Sequence, residues 1–146
     1  MSDIHELQLN LDLPGSLASA DLALLRWHLG EEAGEPPHPD DYPLFSDRGP
    51  AHRIGGTLVG ELARGARGWA LTVRQEVHPD EFDQLRVLVT WLAARTSTAG
   101  TIGSLRFPER DIPDVLVADP AAGTAWRLTL TPERSPQDEL IPDPWS

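Results

Sequence analysis

The chain has 146 residues, no cysteine and a formal net charge of −11 at pH 7, and every basic side chain in it other than histidine is arginine. Without cysteine there is no thiol nucleophile and no thiolate metal site, and without lysine there is no Schiff-base, pyridoxal-phosphate or phosphate-loop chemistry. So acidic a balance opposes docking on nucleic-acid phosphates or on anionic membranes. It leaves a basic protein partner or self-association as the macromolecular readings.

This length suits a single domain, which buries roughly 68–70% of its unfolded surface without needing a disulfide or a metal. No apolar run approaches the ~18 residues of a membrane span. The first residues, MSDIHELQLN, are acidic and already alternate, unlike a secretory signal. The cytosol is therefore the expected compartment.

From Glu6 to Leu13 the chain alternates without a break. Leu7, Leu9, Leu11 and Leu13 point one way, and Glu6, Gln8, Asn10 and Asp12 the other, as in a strand with one face on a core. Pro14-Gly15 ends it, and Ser16 or Ser19 is placed to cap a helix running to Leu29. Leu22, Leu25 and Leu29 form its stripe, and Gly30 suits its C-terminal stop. His28, near that terminus, is favoured there when protonated.

Glu31 to Pro50 has five prolines and no period, and reads as a long acidic loop whose middle is pinned by Tyr42, Leu44 and Phe45. Arg53 to Leu62 and Trp69 to Val77 then alternate on either side of a glycine-bearing turn, the pattern of a hairpin. His78 and Pro79 open a second helix, with His78 as cap and Asp80 and Glu81 favourable in its first turn. Its stripe is Phe82, Leu85, Leu88, Val89 and Leu92, flanked by Val87 and Trp91. Thr101 to Phe107 is a further strand. Asp114 to Ala118 and Thr124 to Leu130 read as an appended hairpin. Residues 131–146 form an extended tail rich in proline and acids, outside a single domain spanning 1–130.

Strand, helix, strand, strand, helix, strand is an order that resembles the split βαβ, ferredoxin-like arrangement. That resemblance implies an α+β domain: an antiparallel βαββαβ sheet in the order fourth, first, third, second, with both helices on one face. It extends to the fold alone, since many unrelated functions use that architecture.

On the face away from the leucines, Gln8, Asn10, Arg74, Glu76 and Arg106 gather as a candidate ligand site. The arginine forks suit a carboxylate or phosphate, and the amides add directional hydrogen bonds. The same residues would serve as a solvated face with cross-strand charge pairs. No HxH, HxxxH or HExxH spacing and no GxSxG turn occurs, so neither a metal, a cofactor nor a hydrolytic triad is expected. Two function classes stand. One is a non-enzymatic acidic interaction domain, such as an inhibitor, immunity-type or assembly factor. It would meet a basic partner through Glu31, Glu32, Glu35, Asp40 and Asp41, or through a patch at Val87 and Trp91. The other is a binder of an anionic small molecule, or an enzyme with Glu76 or His52 as acid–base groups, possibly a face-to-face dimer.

Overall fold

In the computed structural model the described residues are 4–31, 40–130 and 141–144, the last four as backbone alone. The leucine-lined strand β1 (His5–Pro14) is central. It pairs along its whole length with β4 (Gly68–Val77), from His5 opposite Val77 to Pro14 opposite Gly68. Its other side meets β5 (Gly100–Arg106) from Glu6 to Leu9. Beyond that, Ser97 N–H and the Thr96 hydroxyl donate to the Asp12 carbonyl, and Asp12 N–H donates to Thr98 Oγ1.

The remaining strands are β2 (Gly49–Pro50), β3 (Thr57–Arg64), β6 (Asp114–Asp119), β7 (Thr124–Thr129) and β8 (Ile141–Pro144). All pair antiparallel in one sheet, in the order β2-β3-β4-β1-β5-β6-β7-β8. The ferredoxin-like expectation is therefore corrected. Seven full strands and the two-residue β2 form a mostly-β architecture with only two α-helices among the described residues. The physical reason lies in β6, which hydrogen-bonds along β5 from Leu105 to Gly100. The hairpin thus continues the sheet instead of being appended to a closed four-stranded unit. Of the tail, Ile141–Pro144 adds a further strand against β7; residues 131–140 and 145–146 lie outside the described residues.

The leucines of β1 form the core with Leu71, Val73 and Val77 of β4, Ile102 and Leu105 of β5, and Leu116 of β6. Leu25 of α1 (Ser19–His28), Leu29 just past its end, and Leu85, Val89 and Leu92 of α2 (Phe82–Arg95) join the same cluster. Each fully buried side chain of this size is worth about 1.5–3 kcal/mol over its exposed state. Arg95 ties the helices together, with its Nε 3.0 Å from Asp21 Oδ2 and its guanidinium 4.2 Å over the Trp91 ring.

Helix ends follow local chemistry with one exception. At the second helix, His78 Nδ1 accepts from Asp80 N–H while Glu81 accepts from His78 N–H, a reciprocal cap over one 3₁₀ turn, Pro79–Glu81. α1 has neither serine as cap. It begins at Ser19, which puts Ala18 in the capping position with no side chain able to accept. Gly30 does end it, at φ 75°.

The described end of the long loop is built into the protein. Leu44 and Phe45 are buried, whereas Tyr42 is exposed. Phe45 N–H donates to the His28 carbonyl at 2.9 Å, and Leu44 N–H donates to His28 Nδ1 at 3.2 Å. Arg48 donates to the carbonyls of Phe45 and Leu29. Gln75, buried on the core side of β4, takes Asp47 N–H and gives its amide to the carbonyls of Asp47 and Val59. Burial pushes the His28 imidazole down to about 4, so it is neutral at pH 7 and works as an acceptor. The expectation of a protonated His28 at the helix terminus is corrected for that reason: burial outweighs the helix dipole.

Candidate functional site

Opposite the core, the sheet carries the polar residues of the same alternation. Glu6 is the buried centre of that face. Its carboxylate accepts from Gln8 Nε2 at 2.8 Å, Arg74 Nε at 2.8 Å and Arg106 Nη2 at 3.1 Å. Arg74 further donates to the carbonyls of Gly55 and Thr57. Burial by itself raises the Glu6 carboxyl, but hydrogen bonds from Gln8, Arg106 and Arg74, with the Arg74 charge, more than offset it and hold it below its usual range. A charge-assisted cluster of this kind joins β1, β4 and β5.

Glu76 stands opposite Glu6 in the ladder, yet its carboxylate turns away from it. It accepts from the backbone N–H groups of His52, Arg53 and Ile54, closing the turn before β3. Burial raises this carboxyl too, and the three backbone donors outweigh that and lower it. Asn10 lies apart from both, exposed beside a shallow hollow of about 310 Å³ lined by Gln8, Thr101, Ile102, Gly103, Ser104 and Val115. The hollow opens where the β5–β6 register shifts between Thr101 and Gly103.

Of the sequence-derived ligand residues, Gln8, Arg74 and Arg106 thus meet on one carboxylate, Glu76 serves a turn, and Asn10 borders a hollow without charge. The residue that organises them, Glu6, was not among the candidates. Its signal was present: it begins the alternation that holds Gln8 and Asn10, and Arg106 is its direct partner in the ladder. Further along this face, Val115 and Val117 of β6 lie beside Leu128 and Trp126 of β7, all half-buried.

The candidate partner residues do not converge. Glu31 and Asp40 are exposed, Asp41 is half-exposed, and Glu32 and Glu35 lie outside the described residues. Val87 is 63% exposed, while Trp91 packs on the core under Arg95, so the two do not make one patch. Among the described residues no group of three His, Cys, Asp or Glu is arranged to hold a metal ion, and no helix is long and apolar enough to cross a membrane. No family model, no curated protein and no solved structure matches this chain.

Proposed function

We propose that the chain is a non-enzymatic acidic interaction domain that meets a basic partner protein, acting in the cytosol as an inhibitor or assembly factor would. One observation carries this reading: the arginines of the open face are both engaged by Glu6. A free anion would have to displace a buried, hydrogen-bonded carboxylate to reach them, which costs more than it returns. The exposed carboxylates on the same face, Asp12 and Glu61, keep their charge free for a cation. Glu31 and Asp40 add to it. A small-ligand binder is supported by less, namely the uncharged hollow beside Gln8 and Asn10.

The test is the salt dependence of association with a partner isolated from the native host and then purified. Complementary charge acts mainly on the association rate, and screening sets in over about 8 Å at physiological ionic strength. The rate should fall several-fold with added salt, and neutralising Asp12, Glu31, Asp40, Asp41 and Glu61 should flatten that fall while leaving the domain folded. A rate indifferent to both would leave the charge a solubility device only.

A further inference from the structure

A second hollow, of about 350 Å³, lies beside the β3–β4 turn, where β1 and β4 end together. Ala70 stands at its floor, opposite Asp12 of β1 on one side and Ala63 of β3 on the other, and is too small to fill the space above the sheet. Asp12 and Ser97 border the hollow on the β1 side, and Gly65 and Arg67 border it on the side of the turn.

Both borders are held by backbone bonds. The Asp12 carbonyl accepts from Ser97 N–H at 2.9 Å and from the Thr96 and Ser97 hydroxyls, while Asp12 N–H donates to Thr98 Oγ1 at 2.9 Å. Gly65 N–H closes the turn on the Gly68 carbonyl at 2.7 Å. Gly68 lies so close to β1 that a Cβ there would stand 2.2 Å from the Leu13 carbonyl oxygen, so the turn is pressed onto the strand.

Two opposite charges therefore line one small space without neutralising each other. Both side chains are exposed. Neither the Asp12 carboxylate nor the Arg67 guanidinium has an ion-pair or hydrogen-bond partner among the described residues. Arg64, the other arginine at this end of the hairpin, is taken up elsewhere. It stands opposite Trp69 in the ladder, and its guanidinium lies 4.8 Å from the centroid of that ring.

We propose that this hollow binds a small zwitterion, a free amino acid whose ammonium meets Asp12 and whose carboxylate meets Arg67. A simple anion would gain from Arg67 but be repelled by Asp12 and by the formal −11 of the chain, and a simple cation would be opposed by Arg67. A ligand with both charges is favoured at both poles, through charge-assisted hydrogen bonds, and its zero net charge escapes the overall repulsion. Gly68 and Ala70 add no bulk between the poles, which leaves room for the carbon skeleton. The volume is at the low end for ligand pockets and suits a molecule of this size.

The test is titration of the isotope-labelled full chain with L-alanine and with 4-aminobutanoate, whose charged groups are separated by one and by three carbons. The amide signals of Gly65, Gly68 and Ser97 should shift saturably with at least one of them, with a Kd in the millimolar range or below. Propylamine and propionate, which carry one charge each, should bind at least ten-fold more weakly. Asp12→Asn and Arg67→Gln should each lower the affinity at least ten-fold. Ala70→Leu, which fills the floor and keeps both charges, should abolish binding. Thermal melts confirm that each variant is folded. Asp12 also belongs to the surface proposed for the basic partner, so Arg67→Gln separates the two readings: it should weaken the zwitterion and leave partner association intact, and either proposal can fail without the other. The absence of a saturable shift with both zwitterions overturns the site. So do singly charged analogues that bind as tightly, or an affinity indifferent to Asp12→Asn and Arg67→Gln.

Discussion

Arg74 reaches Glu6 diagonally across the β1–β4 ladder, its Nε 2.8 Å from Glu6 Oε2, although Gln8 is the residue that stands opposite it. Diagonal neighbours lie roughly 7–8 Å apart at Cα, a span that long side chains bridge. The direct partner of Glu6 on the other side is Arg106. One carboxylate therefore takes one arginine from each flanking strand. Removing it should leave both guanidinium groups partly buried and without their carboxylate partner. Truncating one member of a buried ion pair costs about 3–5 kcal/mol. Since both arginines retain some contact with water, Glu6→Ala should cost about 2–3 kcal/mol in urea unfolding. The double replacement of Arg74 and Arg106 by alanine should also destabilise, because it orphans the carboxylate. Were the double variant as stable as its parent, the arginines would be free for a ligand after all.

Stability should depend on pH through His28. Its folded value lies near 4, below the 6.5 of an unperturbed imidazole, so between these values the unfolded chain binds the proton and the folded chain does not. Stability from this group is complete above about pH 6.5 and is lost as pH falls toward 4, at about 1.4 kcal/mol per pH unit, up to about 3 kcal/mol. Glu6 is held low instead, so its contribution is lost only at more acidic pH, below the usual carboxylate range. His28→Asn should flatten the curve between pH 4 and 6.5 relative to the parent, at a lower overall stability. A parent curve already flat over that window would mean that His28 is not buried neutral.

Gly60 has no room for a side chain. A Cβ there would stand 2.3 Å from the Phe45 carbonyl oxygen, a backbone atom, and 2.9 Å from Arg48 Nη1. Gly60→Ala should therefore push the 44–48 segment off β3 and cost about 1–3 kcal/mol, the range for overpacking. Amide exchange at Phe45, whose N–H is bonded to His28, should quicken first. Unchanged protection there would show that the segment is seated by Leu44 and Phe45 alone.

Leu71 and Val87 offer a paired control on the apolar pattern. Leu71 is 1% exposed within the core cluster, and its replacement by alanine should cost about 2–5 kcal/mol. Val87, at 63% exposed, should tolerate aspartate within about 0.5 kcal/mol. A large loss at Val87 would reveal a contact on that flank of α2.

Local order determined much of this protein from the chain alone. Strict alternation in β1 and β4 assigns their faces, because a strand's side chains have a period of two and any slip would expose the leucines. Leu9, Leu11, Leu71, Val73, Leu85 and Leu92 accordingly share one core. The His78 cap and the Gly30 stop are just as local, each set by a few adjacent residues. Tertiary structure decided the rest. Whether β6 pairs with β5 or packs elsewhere depends on backbone hydrogen bonds between segments, and these carry no side-chain signature, so the full sheet was not legible. Glu6 reads in sequence as one more polar residue of an alternating strand. Only the approach of β4 and β5 from either side brings two arginines onto it, and that convergence turns a surface charge into a buried one.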